Sequence, residues 1–480
     1  MNQLKLSVGV LLVGSLALAA NFAACSSKSG NTTGTAGAQG SAGAGTAGST
    51  GTAGGESATK SDGTCVSGAF KHGTPGVCAC QPDVPTVCEA SCTNTVIGDD
   101  ANCGMCGKAC PDTSTCNGSA CGPTATTVLA AISGCALPDS TPGVAMNIAV
   151  SGGNVYYTDN LHGTVSSVPV AGGASTPVVT GEKAPGQIAI AGTTAIWISV
   201  TAATTVTGDG GAMITTTTAK LRKAALPTGP AMDIVTETNN NGGIMAFTLS
   251  SDGQTIYYSS DTNVKSIPVA GAAAGTIVAM EQLNGVPTAL GLSEDGKTIA
   301  YVTMLNGDVD IITLGTSAAS KSVADGGNGC PANTACCGMH DPADSSGEAL
   351  LNTNCTRVGR SQGAPYFGAV ILKGGVAYWG NDTAIHANAA TPNAAQANVQ
   401  VATTNGGGIT AFGGTATNIY FGDTVDKLMF KDTYALPPAD GGTKADSTRI
   451  LRAQIATSIA FDSTHIYWST AGCAINSAPQ

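Results

Sequence analysis

Residues 147–179 read Asn147-Ile-Ala-Val150, Ser151-Gly-Gly-Asn154, Val155-Tyr-Tyr-Thr-Asp159, Gly163-Thr-Val-Ser-Ser-Val-Pro-Val170, Ala171-Gly-Gly173 and Pro177-Val-Val179. Short runs of Val, Ile, Tyr and Thr alternate with Gly-rich turns. β-Branched and aromatic residues suit a pleated, half-buried surface, and Gly-Gly supplies the positive φ angles of tight hairpins. The stretch predicts one four-stranded antiparallel sheet. Its order then recurs along the chain, and aligning the copies on the aromatic second strand gives Tyr156-Tyr157, Ile196-Trp197, Tyr257-Tyr258, Ala300-Tyr301, Tyr378-Trp379, Tyr420-Phe421 and Tyr467-Trp468. Seven units of four short strands, each about 40 to 50 residues long, predict an all-β fold: a β-propeller of seven blades over residues 124–480. Apolar and polar residues alternate, and a helical period is nearly absent, which excludes a helical solenoid.

The turn before the aromatic strand is polar in most copies: Ser251-Asp252-Gly253-Gln254, Glu294-Asp295-Gly296-Lys297, Lys373-Gly374-Gly375 and Gly413-Gly414-Thr415. Asp252 and Asp295 are expected to form turns and not to bind ligands. The last unit, from about Ala456 to Ser477, supplies three strands, whereas Thr126 to Ile132 is a Val/Leu/Ile strand with no unit of its own. Combining them in one blade would fasten the ring from both ends of the chain. Cys135 and Cys473 could then form a disulfide across that closure. Two segments interrupt the pattern. Thr201 to Thr218 is expected to be a long surface loop, and residues 319–363 an insert carrying Cys330, Cys336, Cys337 and Cys355. His340, Asp341, Asp344 and Glu348 in that insert could hold a metal, but a two-disulfide loop with a polar tip is the preferred reading, and no metal or cofactor is assigned.

Val155-Tyr-Tyr-Thr-Asp159 and Ile466-Tyr-Trp-Ser469 resemble the YWTD propellers of low-density-lipoprotein receptors and their bacterial relatives. Tyr157-Thr158-Asp159 comes nearest to that motif. The resemblance implies six blades, which would follow if the unit at Trp197 or Tyr301 were an elaboration of its neighbour.

Residues 1–24 carry one early charge, Lys5, then an apolar run from Leu6 to Ala20. About 15 residues is short of the roughly 20 a permanent membrane helix needs, so the segment reads as a signal peptide. Phe22-Ala23-Ala24-Cys25 resembles a bacterial lipobox, in which the cysteine thiol takes the lipid. Cys25 is the expected lipidation site, and Ser26 after it implies sorting to the outer membrane; plain cleavage with Cys25 left as a free thiol is the alternative. Residues 25–64 follow as a tether: from Ser29 to Lys60 only Asn31, Gln39, Glu56 and Lys60 are not Gly, Ala, Ser or Thr. No core can form from such residues, and a flexible, disordered coil is expected.

Residues 65–122 hold Cys65, Cys78, Cys80, Cys88, Cys92, Cys103, Cys106, Cys110, Cys116 and Cys121 with almost no Leu, Ile or Phe. Burial cannot stabilise so short and polar a segment, so disulfides are expected to replace a core, with a connectivity the spacing leaves open. Asp99, Asn102, Cys103, Gly104, Cys106, Gly107 and Cys110 match the recurrent core of the stigma-specific protein family. That resemblance implies an extracellular interaction module. Zinc on Cys103, Cys106, Cys110 and Cys116, or a redox pair at Cys103 and Cys106, is a weaker reading. The chain has 17 cysteines; setting Cys25 aside leaves 16, an even number that fits an oxidising compartment.

The chain has 20 Lys and Arg against 31 Asp and Glu, a net charge of −11, and no basic patch, which argues against nucleic acid as a partner. The histidines, at 72, 162, 340, 386 and 465, fall in no catalytic motif, and there is no nucleophile elbow, zinc-protease helix or phosphate loop. The expectation is a non-catalytic lipoprotein of the cell envelope, held to the membrane by its lipid, whose propeller binds a protein or glycan. A propeller enzyme, such as a lyase or glycan hydrolase, and a purely structural envelope protein are the alternatives.

Overall fold

A computed structural model describes six short strands between residues 69 and 123 and most of the chain from 127 to 480. Its largest undescribed stretches in the second part are 133–145, 208–212, 316–333, 338–354, 361–368, 390–398 and 435–447. The expected signal peptide, lipid site and tether lie outside the described residues. The chain divides into two compact units, one of which takes in Gly122–Gln480. The first six strands form three two-stranded hairpins: β1 (Ala69–Lys71) with β2 (Cys78–Cys80), β3 (Thr86–Cys88) with β4 (Ser91–Thr93), and β5 (Ser114–Asn117) with β6 (Ala120–Pro123).

The remaining strands make seven sheets. Blade 1 is β8 (Ile148–Ser151), β9 (Asn154–Asp159), β10 (Thr164–Pro169) and β11 (Thr176–Thr180). Blade 2 is β12 (Pro185–Ala191), β13 (Thr194–Thr207), β14 (Met213–Ala225) and β15 (Met232–Asn239). Blade 3 is β16 (Ile244–Leu249), β17 (Thr255–Ser260), β18 (Asn263–Pro268) and β19 (Thr276–Glu281), with β23 (Ala335–Cys337) added at its edge. Blade 4 is β20 (Pro287–Leu292), β21 (Thr298–Thr303), β22 (Asp308–Thr313) and β24 (Cys355–Arg360). Blade 5 is β25 (Val370–Lys373), β26 (Val376–Asn381), β27 (Ala384–Ala389) and β28 (Val399–Thr403). Blade 6 is β29 (Ile409–Gly414), β30 (Asn418–Asp423), β31 (Leu428–Thr433) and β32 (Thr448–Arg452). Blade 7 is β33 (Ala456–Phe461), β34 (His465–Thr470), β35 (Ala474–Pro479) and, as its outer strand, β7 (Thr127–Ala131).

Ring closure therefore joins the two ends of the propeller in one sheet, with Ala474 opposite Ala131 and Ile475 opposite Ala130. All seven aromatic pairs of the repeat fall on second strands, including those at Trp197 and Tyr301, so the ring has seven blades and the six-bladed alternative is set aside. The second strands are buried almost throughout because a blade is covered on both faces. In β9, Tyr157 joins a core with Tyr467 and Ile475 of blade 7, while Tyr156 joins one with Trp197 and Ile188 of blade 2. Trp197, Tyr258, Tyr301, Trp379 and Trp468 likewise face the preceding blade, and each of the seven contacts between adjacent blades has its own apolar cluster. The driving force is thus spread around the ring and has no single centre.

Five of the innermost strands begin with a register shift against the second strand, as between Ile244 and Phe247 in blade 3. A bulge leaves backbone N–H groups without a ladder partner. In blade 3 the Ser259 hydroxyl accepts from two of them, Met245 N at 3.2 Å and Ala246 N at 2.9 Å. Thr158 takes the same place in blade 1, accepting from Asn147 N. Neighbouring blades are also stitched directly: the Gln187 side-chain amide donates to Phe247 O and accepts from Phe247 N, both at 2.9 Å.

Two expectations are corrected. Thr201–Thr207 and Met213–Thr218 are strand and not loop: β13 and β14 pair outward to Thr207 and Met213 past one register shift after Val200, because their Thr and Val residues favour strand. The segment 319–363 is not wholly an insert either, since β24 is the fourth strand that blade 4 requires, and β23 pairs in parallel with β19 of blade 3. Asp252 and Asp295 do form turns. Each accepts from the backbone N–H two residues on and from the serine two residues before, and Gly253 and Gly296 follow them at φ near +68°.

Candidate functional site

The chemically richest described region lies where blades 1 and 2 meet. The tight turn after β9 brings His162 back onto Asp159, the last residue of that strand. Asp159 Oδ1 accepts from His162 N at 3.0 Å, and Oδ2 meets His162 Nδ1 at 2.6 Å. Asp159 is buried and His162 is 43% exposed, so a buried carboxylate fixes a partly exposed imidazole. The next residue, Gly163, accepts from Glu182 N at 2.8 Å, which ties this turn to the segment entering blade 2.

The Glu182 side chain is buried, and the residue has three commitments, two through its carboxylate and one through its backbone. Its Oε2 accepts from Trp197 Nε1 at 2.9 Å, its Oε1 from Arg222 Nη1, and its backbone holds Gly163. Arg222 continues through Nε to Asp233 at 2.9 Å, and Lys220 reaches the same carboxylate at 2.6 Å. Burial works against the Asp233 anion, but the hydrogen bonds and charges of Lys220 and Arg222 outweigh it and hold its pKa below the ordinary value. A second network has the same plan one blade on. Glu237 of β15 accepts from Tyr258 at 2.8 Å and from Lys265 Nζ at 2.9 Å on both oxygens. Desolvation again opposes the charge and is outweighed by Lys265 and Tyr258, so the Glu237 pKa is lowered, while burial and the carboxylate push Tyr258 far up.

These networks share a register. Trp197 stands opposite Arg222 and Tyr258 opposite Lys265, so an aromatic on a second strand and a cation on the third strand share one carboxylate from the preceding blade. Pairs so fully committed are locking devices. Asp159 with His162 differs, because the ring that the buried carboxylate orients is itself 43% exposed.

The inner strands carry no such groups. Across β8, β12, β16, β20, β25, β29 and β33 there is no carboxylate and no histidine, and Lys373 at the end of β25 is their one charged residue. Among the described residues no cluster of three or more His, Cys, Asp or Glu could hold a metal ion. His340, Asp341, Asp344 and Glu348 lie outside the described residues.

Of the cysteines, Cys78, Cys80, Cys88, Cys92, Cys116 and Cys121 fall on the hairpin strands, and Cys336 and Cys337 on β23. Cys355 on β24 and Cys473 in the β34–β35 turn are buried and disulfide-bonded. Cys25, Cys65, Cys103, Cys106, Cys110, Cys135 and Cys330 lie outside the described residues. Glu182, Arg222, Glu237 and Lys265 are not singled out by any linear motif. Their signal is a cation opposite an aromatic, seven residues apart across the tight turn of blade 3 but hidden in blade 2 by the long hairpin.

No protein-family model matches the chain, and no curated protein matches it. Among solved structures it is similar to a streptogramin B lyase, at 13% identity and TM-score 0.45, over 73% of this chain and 96% of that one. It is similar to the hydrazine synthase of Kuenenia stuttgartiensis, at 12% identity and TM-score 0.47, over 73% of this chain and 99% of that one. A chain of the mitotic checkpoint complex shows 11% identity and TM-score 0.44 over 74% and 90%. At such identities the likeness is one of fold and carries no activity to this chain.

Proposed function

We propose that the chain is a lipid-anchored envelope protein whose propeller binds a protein or glycan partner without catalysing a reaction. One observation carries this reading: the seven inner strands, which in a propeller surround the central channel, hold neither carboxylate nor histidine, and the buried charges of blades 2 and 3 are consumed in locks between blades. Acid–base chemistry needs convergent groups free to move protons. A rigid ring with loops of unequal length offers instead a scaffold on which a partner can be read. The lipobox-like Phe22-Ala23-Ala24-Cys25, the Gly/Ala/Ser/Thr tether and the module resembling the stigma-specific family support placement at the envelope, with the head held off the membrane.

Two measurements test it. Labelling with a radioactive fatty acid should mark the full chain and should be lost in Cys25→Ser; an unlabelled wild-type chain removes the anchor from the proposal. The full chain in detergent should retain a defined protein from envelope extract or a defined sugar on a glycan panel, and silence in both removes the binding role.

The oriented imidazole of His162 favours one second reading, an enzyme with its base on the blade 1 rim. Turnover of any glycan on that panel, abolished by His162→Gln, would replace binding with catalysis.

A further inference from the structure

The lock described for blades 2 and 3 recurs in blade 5 with one part changed. Trp379 on β26 occupies the place of Trp197 and Tyr258, and His386 on β27 stands opposite it where Arg222 and Lys265 stand in their blades. The two rings are stacked, with centroids 6.1 Å apart and planes 24° apart. Trp379 is fully buried in the apolar cluster that joins blade 5 to Val358 of blade 4. In blades 2 and 3 the preceding blade supplies a glutamate to such a pair. At the corresponding positions of blade 4 the sequence has none, since Ala349 to Asn381 contains no Asp or Glu, and the described acid Asp310 of β22 stands opposite Tyr301, on the face turned to blade 3. Trp379 Nε1 and His386 Nδ1 are both buried with no hydrogen-bond partner. A buried donor left without an acceptor has lost its hydration with nothing in return. A ring that keeps both nitrogens in the slots where blades 2 and 3 bind a carboxylate is arranged for an acceptor from outside the chain.

We propose that the interface of blades 4 and 5 binds a small free carboxylate, with Trp379 Nε1 and His386 Nδ1 as its donors, in the manner in which Trp197 and Arg222 hold Glu182. His386 is only partly buried, so its edge gives a route from solvent. Burial disfavours the imidazolium and lowers the His386 pKa. A bound anion reverses that balance, so carboxylate and proton bind together. Across β28 His386 faces Gln400, Tyr378 on β26 belongs to the core shared with blade 6, and Asp310 of blade 4 lies on the face turned to blade 3.

The chain has three tryptophans, which makes the test direct. In the full chain labelled with 15N at the indole nitrogens and assigned through Trp379→Phe, sodium formate at pH 6 should shift the Trp379 signal to saturation. Trp197, already bonded to Glu182, should not move. Trp468 should not move either: its Nε1 is also unpartnered, but it stands opposite Asn476, which is no cation. Affinity should fall about tenfold per pH unit above the His386 pKa, and His386→Gln should weaken binding at least tenfold at pH 6 and abolish the pH dependence. An unmoved Trp379 signal, equal movement of all three, or the same response to sodium chloride overturns the proposal. The wild-type titration decides this even if a variant folds poorly.

Discussion

Glu182, on the segment that leaves blade 1, accepts a hydrogen bond from the indole of Trp197 in blade 2 at 2.9 Å while its other oxygen holds Arg222. A carboxylate taken out of water is tolerated only when both oxygens are satisfied, and here two donors of different chemistry do so from adjacent strands. The contact between blades 1 and 2 therefore has a fixed register that apolar packing alone would not impose.

Removing one partner should cost more than the pair contributes. Glu182→Ala leaves the Trp197 indole N–H unpaired in a buried interface and the Arg222 guanidinium held by Asp233 alone, and the expected loss is about 3 kcal/mol in urea unfolding followed by Trp fluorescence. Glu182→Gln still accepts from Trp197 and should lose less. If Glu182→Ala unfolds with the wild-type midpoint and slope, the network is not a lock.

The seven-bladed ring was legible in the sequence because the aromatic second strand is buried on both sides and so keeps its composition in every copy, from Tyr156-Tyr157 to Tyr467-Trp468. Closure by Thr127–Ala131 was legible too, since a lone strand and a three-strand unit complement each other. What escaped were features set by distance across the fold. Glu182 and Arg222 are 40 residues apart in the chain, and nothing local marks either. Thr201–Thr218 was misjudged because its Thr and Gly content suits loops, whereas pairing with β14 is what makes it strand. Asp252 and Asp295 were read correctly because a turn is a local device.

Gly163 should be far less replaceable than Gly152. Both have φ near +60°, where a side chain costs about 1–2 kcal/mol. A Cβ at Gly152 would meet open space, but at Gly163 it would run into the carbonyl oxygen of Glu182, part of the backbone that holds the site together. Gly163→Ala should therefore lower the melting temperature more than Gly152→Ala, and should also release His162 from its fixed orientation, visible as a shift of its imidazole signals by NMR. Equal melting temperatures would show that the turn relaxes freely.

Acid should weaken the last blade through Asp462. Desolvation raises its pKa, but Tyr467 donates to Oδ2 at 2.6 Å, and the N–H groups of Thr464 and His465 with the Thr464 hydroxyl donate to Oδ1, bringing the pKa down to about 2. The folded value lies below the unfolded one, near 3.9. The contribution is thus complete above about pH 4 and is lost as the pH falls toward 2. Asp462→Asn should be less stable than wild type at neutral pH and should show a smaller fall between pH 4 and 2. Parallel curves for the two proteins would assign the acid sensitivity elsewhere.

Closure of the ring should be the step that both ends of the propeller depend on. Leu129 of β7 is buried with Tyr157, Tyr467, Ile475 and Cys473, so it touches the first blade and the last at once. Leu129→Ala should cost about 2–5 kcal/mol, and because β7 is an outer strand held by one neighbour, the loss should appear as protease cleavage near residues 127–132 before the other blades unfold. Ile132 N donates to Cys473 O at 2.9 Å, and Cys135 follows three residues later, which is why a Cys135–Cys473 disulfide is the expected partner for the bonded Cys473. A non-reducing peptide map should recover that pair, and reductant should then make wild type as protease-sensitive at this strand as Leu129→Ala. If the map links Cys473 to another cysteine, the closure is held by pairing and packing alone, and reductant should leave the cleavage at β7 unchanged.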